Sequence, residues 1–232
     1  MANTASSWLV VWLVAAVCAH AGQPVLPAED RAAGWQPLFD GRTTTGWRNY
    51  RRDELSAGWQ AVDGALTRRG AGGDIVTEAS FADFELRLEW RVARGGNSGI
   101  FFRVSESEPA IYMTAPEMQV LDDARHPDGR SPLTSAGSNF GLHGVPAGIA
   151  KPAGEWNAAR LLVDGNHVEH WLNGERVVSY ELGSEDWRAR VAASKFSAWP
   201  FYGTVRSGPI GLQDHGDEVA FRNIRIRRLG DA

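Results

Sequence analysis

From Phe84 to Val92 apolar and charged positions alternate. Phe84, Leu86, Leu88, Trp90 and Val92 fall on one face, with Glu85, Arg87, Glu89 and Arg91 on the other. That period predicts a half-buried antiparallel strand. Similar short runs recur with turn residues between them. Trp59–Val62 and Ala65–Leu66 flank Asp63-Gly64, a two-residue hairpin signal. Arg160–Val163, His167–Leu172 and Val177–Tyr180 are separated by Asp164-Gly165 and Asn173-Gly174, which predicts a meander. Gly95–Gly99 is expected to turn the chain into Ile100–Val104, and Gly208–His215 reads as a further strand. Phe221 and Ile224 break the alternation of the last strand, placing a bulge near Asn223. No long helical period appears after residue 21, and no repeat. Many short strands with closely spaced turns give an antiparallel β-sandwich.

One strand carries chemistry. In Pro116–Asp123, Glu117, Gln119 and Leu121 point one way, and Met118, Val120 and Asp122 the other. An acid in a strand core costs several kcal/mol unless it is paired or used. Structural pairing is the alternative to function here, as it is for a lone strand histidine. Other polar groups accompany it on predicted strands. They are His170 beside Val168 and Leu172, Gln213 and His215 beside Gly211, and Asn97-Ser98 with Arg103. Lys195 lies in Ser194-Lys195-Phe196. Imidazoles and a partly buried carboxylate suit proton transfer near neutral pH. They could also hold a divalent metal ion, although no close pair such as His-Glu-x-x-His occurs. Gly70-Ala71-Gly72-Gly73 is no dinucleotide fingerprint and Gly96–Gly99 no nucleophile elbow, so the chain itself has no nicotinamide site. Residues 124–154, rich in Gly, Pro and Ser, form a long segment of the kind that lines sites.

Composition narrows the picture further. A net charge of −4, from 24 Lys and Arg against 28 Asp and Glu, makes no case for nucleic acid. Arg222, Arg225, Arg227 and Arg228 read as a solvated strand face. Trp8–Val17 followed by Ala19-His20-Ala21 resembles a signal peptide over 1–21, with a linker over 22–33 and one domain over 34–229. Cleavage after Ala21 would remove Cys18, the only cysteine, leaving no disulfide in an exported, periplasmic or extracellular protein with no membrane anchor.

Several motifs occur together in order: Asn97-Ser98-Gly99-Ile100-Phe101-Phe102-Arg103, Glu117-x-Gln119-x-x-Asp122, Gly154-Glu155-Trp156-Asn157, His170-Trp171-Leu172-Asn173-Gly174, Ser194-Lys195-Phe196, and Gly211-Leu212-Gln213-Asp214-His215-Gly216. In this the chain resembles the 3-keto-disaccharide hydrolase domain family from about Gly34 to Leu229. The resemblance implies an all-β, concanavalin A-like jelly-roll sandwich. It also implies glycosides already oxidised at C3, cleaved by elimination and hydration, with a separate 3-dehydrogenase supplying them. A C3 ketone acidifies the C2 proton; its removal gives an enolate that expels the C1 substituent, and water then adds. On this view Glu117 or His170 is the C2 base, His215 the proton donor, and Asn97, Arg103, Gln119, Lys195 and Gln213 contact substrate. Phe140 stands where the resemblance leads one to expect a tyrosine.

Two other readings use the same fold. Glu117-x-Gln119-x-x-Asp122 resembles the Glu-x-Asp-x-x-Glu of laminarinase-like glycoside hydrolases. On a regular strand, however, Glu117 and Asp122 face apart, and a retaining mechanism needs carboxyls roughly 5–5.5 Å apart. A carbohydrate-binding, lectin-like module would need no converging acid and imidazoles.

Overall fold

The structure, a computed structural model, describes residues 26–230. The signal segment expected over 1–21 and the first residues of the linker lie outside the described residues. The rest of that linker is not featureless. Ala28–Ala32 forms one helical turn (α1), and Asp30 pairs with Arg225 at 3.6 Å.

Thirteen strands follow among the described residues. The first six are β1 (Gln36–Pro37), β2 (Trp47–Asn49), β3 (Trp59–Val62), β4 (Ala65–Arg68), β5 (Ile75–Thr77) and β6 (Phe84–Val92). The others are β7 (Asn97–Phe101), β8 (Glu117–Leu121), β9 (Asn157–Asp164), β10 (His167–Leu172), β11 (Glu175–Glu181), β12 (Gly211–Leu212) and β13 (Val219–Arg228). They make two sheets with antiparallel pairing throughout. The larger runs β11-β10-β9-β6-β13-β4-β3, with β1 also on β13; the smaller runs β2-β5-β12-β7-β8. This is the jelly-roll sandwich expected from the sequence.

Leu86, Leu88, Trp90, Leu161, Val163, Val168 and Leu172 of the large sheet meet Ile75, Ile100, Met118, Val120 and Leu212 of the small one. Each such side chain, fully buried, contributes about 1.5–3 kcal/mol. Two of the three predicted hairpin turns have their first residue in the left-handed region, Asp63 at φ 50° and Asn173 at φ 52°; in the third it is Gly165, at φ 58°, that adopts it. The last strand shifts register between Arg222 and Arg225, with Asn223 at φ 53°, where the bulge was expected.

Four expectations change. Asn97 and Ser98 already belong to a strand, not to the preceding turn. Of Gly208–His215 only Gly211–Leu212 is a strand. Glu185–Ala192 is a helix (α2), capped by the Ser184 hydroxyl accepting from the Trp187 N–H; only Trp187 of it is buried, so no apolar period announced it. The C-terminal arginines are not a loosely solvated face. Glu85, on the outer side of β6, is almost wholly buried among Arg87, Arg160 and Arg227, at 2.8, 2.5 and 2.6 Å. Arg222 pairs with Glu89 at 2.6 Å and lies over Trp156.

Candidate active site

The small sheet has an outer side of unusual composition. Inward go Ile75, Leu212, Ile100, Met118 and Val120. Outward, by alternation, go Val76, Gly211, Phe101 and Glu117 in one row across β5, β12, β7 and β8. The next row on this side holds Gly99 and Gln119 on β7 and β8, with Gln213 beside Gly99 through its N–H to the Gly99 carbonyl at 3.0 Å. Continuing the β5–β12 register by one residue sets Asp74 next to Gln213.

Glu117 folds its carboxyl back over Gly99. A Cβ at Gly99 would collide with Glu117 Oε1 and lie 2.7 Å from its Cδ. Gly99 is a glycine because the acid occupies that space. Glu117 is only 6% exposed. Burial pushes its carboxyl up to about 8, the Lys195 ammonium pulls against that rise, and the charges of Asp74 and Asp128 add to it. At neutral pH the group is mostly a neutral acid able to donate a proton.

The long segment after β8 completes this side. Gly137–Phe140 runs along β8: Gly137 N–H donates to the Gln119 carbonyl at 2.8 Å, Gln119 N–H to the Ser138 carbonyl at 3.0 Å, and Phe140 N–H to the Glu117 carbonyl at 3.0 Å. Phe140 is thereby placed beside the acid. The Lys195 ammonium sits 4.5 Å from the Phe140 ring centre, 5.3 Å from Phe196 and 5.6 Å from Tyr112. An aromatic face suffices for this cation–π contact, so phenylalanine serves where a tyrosine was expected. Phe196 anchors the lysine from below. It stacks on Tyr202 at 4.1 Å, and the stack continues through Trp187 and Tyr180 to His143.

Asn97 and Gln119 are buried, and Asn97 Oδ1 and both amide atoms of Gln119 have no protein partner. Gln213 is half-buried beside them and His215 is exposed at the rim, its ring 6.3 Å from that of His126. Asp74, which sequence reasoning missed, is the second acid of this side. Burial pushes it up to about 6, against the Asp214 N–H that its Oδ1 accepts at 2.9 Å and the nearby His215. Its signal in the sequence was an acid directly preceding a β-branched triplet, Ile75-Val76-Thr77.

Two expected site residues are elsewhere. His170 points into the inter-sheet core, fully buried, its Nδ1 3.0 Å from the Gly137 carbonyl oxygen and its Nε2 3.2 Å from the Tyr180 hydroxyl. Burial pushes it down to about 4, against the Gly137 contact. It shares a face with Val168 and Leu172, and that face is the core. His170 therefore holds the segment beside β8 instead of touching the outer side. Arg103 is at φ 49° and turns away; its Nε donates to the Ala82 carbonyl and its Nη2 to Asp83 at 2.8 Å and to the Gly165 carbonyl, while its buried Nη1 has no protein partner. It lines a cavity of about 530 Å³ with Trp187, Trp199 and Tyr202; none of Glu117, Gln119, Gln213 or His215 lines that cavity. Asp122 is also turned from Glu117, accepting the Gly95 N–H at 2.7 Å, and β8 has no bulge to bring them together. Among the described residues no three His, Cys, Asp or Glu side chains converge as a metal site would require.

The family described as a 3-keto-alpha-glucoside-1,2-lyase-like domain matches residues 34–227. A 3-keto-disaccharide hydrolase of Bacteroides thetaiotaomicron is 38% identical, over 85% of this chain and 79% of its own length. A Parabacteroides distasonis protein, provisionally described as a glycosyl hydrolase, superposes with a TM-score of 0.84 at 35% identity, covering 90% of this chain and 100% of that one. A second structure so described from that organism gives 0.68 at 29%, covering 84% and 99%.

Proposed function

The chain belongs to the 3-keto-alpha-glucoside-1,2-lyase-like family, and from that premise we propose that it is a carbohydrate-active enzyme cleaving glycosides oxidised at C3. The relative in Bacteroides thetaiotaomicron is a 3-keto-disaccharide hydrolase, which supports the substrate class. The observation that carries the reading is the Glu117 carboxyl: desolvated, laid over a side-chain-free residue, and within reach of the Lys195 charge.

The reaction begins with loss of the C2 proton, which the neighbouring ketone acidifies. Lys195 and the side-chain amide of Gln213 offer positive charge and N–H groups to the enolate oxygen. The enolate expels the C1 oxygen. An alkoxide leaves poorly from this intermediate unless it is protonated as it departs. Glu117, neutral at pH 7, is the donor, in place of the exposed His215. Water then adds across the unsaturated sugar, so that the net change is hydrolysis. His170 acts at one remove: it fixes Gly137, and through the paired segment the surroundings of Glu117. A separate enzyme that oxidises the sugar at C3 must precede this one, and export after cleavage near Ala21 would place the cleavage outside the cytoplasm.

Glu117→Gln tests the reading with two 3-keto-glucosides. Turnover of an alkyl aglycone should fall about 10²–10⁴-fold. A 4-nitrophenyl aglycone, which leaves without a proton, should be cut within about tenfold of the wild-type rate. Unchanged turnover of the alkyl substrate removes Glu117 from the chemistry. Binding without cleavage by the wild-type protein would make it a lectin-like module.

A further inference from the structure

The proton donor just described leaves the C2 base unassigned, and His170, one of the two candidates for it, lies in the core. A second carboxyl lies on the same side as Glu117. Asp74, Gln213, Gly99 and Gln119 form one row across β5, β12, β7 and β8. Adjacent strands are about 4.8 Å apart, so Asp74 is about 9–10 Å at the backbone from Gly99, over which the Glu117 carboxyl lies. Between them stands Gln213, half-buried, while the Glu117 carboxyl itself covers Gly99. A sugar ring seated over Gln213 would present one face to Asp74 and the other to Glu117.

The stereochemistry of the substrate asks for this arrangement. In the chair of an α-glucoside H2 and O1 lie on opposite faces of the ring. A single carboxyl cannot reach both, so removal of H2 and protonation of O1 need two groups flanking the sugar.

We propose that Asp74 is the base that removes the C2 proton, an inference that rests on the cleavage reaction proposed above. Its Oδ1 is oriented by the Asp214 N–H, and its Oδ2 has no protein partner among the described residues. The charged and titratable groups around it are Asp214, His215, Tyr50 and Glu117. Asp214 is held as an anion: burial would raise it, but the N–H groups of Gly72, Gly73 and Gly216, with Arg68, outweigh that. The Asp214 charge adds to the rise of Asp74, yet Asp74, up to about 6 against about 8 for Glu117, is the more acidic of the two carboxyls.

In the first step the C2–H bond breaks and its proton goes to Asp74 Oδ2, while the electron pair forms the enolate. In the second, the C1–O bond breaks as the pair returns to form the C1–C2 double bond. The proton of Glu117 goes to the leaving oxygen. In the hydration, water gives its oxygen to C1 and a proton to the Glu117 carboxylate, and Asp74 returns its proton to C2. One water is consumed and both carboxyls regain their starting states.

The test compares wild type, Asp74→Asn and Asp74→Ala on alkyl and 4-nitrophenyl 3-keto-α-glucosides, protonated or deuterated at C2. Asparagine keeps the Asp214 contact, and far-UV circular dichroism checks the fold. Asp74→Asn should lose at least about 10²-fold with both aglycones, unlike Glu117→Gln. The acid limb of the wild-type kcat/KM profile near pH 6 should vanish, and added formate should restore part of the Asp74→Ala rate. Asp74→Asn retaining full rate, or losing rate without change in the acid limb and without formate rescue of Asp74→Ala, overturns the assignment. A wild-type protein inert toward every 3-keto-glucoside overturns the cleavage reading instead.

Discussion

Glu117→Gln exposes a stability cost that the site imposes on the fold. The carboxyl titrates near 4.5 when the chain is unfolded and near 8 when folded, because burial disfavours the anion more than Lys195 favours it. A folded pKa above the unfolded one means that protons bind the native state more tightly. Stability is therefore unaffected below pH 4.5 and is lost as pH rises toward 8, above which the loss is complete. The interval from 4.5 to about 8, at about 1.4 kcal/mol for each pH unit, comes to about 5 kcal/mol. That is a large fraction of the 5–15 kcal/mol typical of a whole domain. Glutamine has the shape of the protonated acid and never ionises. Urea unfolding of both proteins at pH 5 and pH 8 measures the effect. The variant should gain about 3–4 kcal/mol over wild type between those two conditions, while losing activity on alkyl substrates. A stability difference that does not change between pH 5 and pH 8 would refute the claim that Glu117 sits desolvated without a compensating partner.

Gly99→Ala should fold, since Gly99 is not in the left-handed region, yet its methyl must expel the Glu117 carboxyl; we expect activity on alkyl aglycones to fall about 10²-fold with an unchanged circular dichroism spectrum. Lys195→Met should move the alkaline limb of the kcat/KM profile to higher pH, because the ammonium lowers the Glu117 pKa; a limb that stays in place separates the two groups. His170→Gln should flatten acid denaturation. His170 is pushed from 6.5 down to about 4, so its contribution is present above pH 6.5 and fades as pH falls to 4, a loss of about 3 kcal/mol that glutamine does not suffer. Urea midpoints of both proteins at pH 7 and pH 4.5 check this.

The two-period alternation was enough to place most strands, because each half-buried strand must put its apolar residues on one side. Turn residues such as Asp63-Gly64 and Asn173-Gly174 joined neighbours, since left-handed backbone is a local requirement. The face of each polar residue along its own strand was also legible: Glu117 with Gln119, and His170 with Val168 and Leu172. What alternation could not say is which of the two faces meets the other sheet. For β8 the acid is on the outer side, and for β10 the histidine is on the inner one, so two residues equally conspicuous in the sequence part company. The row of Asp74, Gln213, Gly99 and Gln119 was equally hidden. It depends on register between segments more than a hundred residues apart, and hydrogen bonds of that kind are settled only when the sheets pack. Arg103, expected to contact substrate, is turned away from Glu117 by one residue of left-handed backbone. Local pattern therefore set the elements and the chemical inventory; the pairing of distant strands chose which members of that inventory share the outer side of the small sheet.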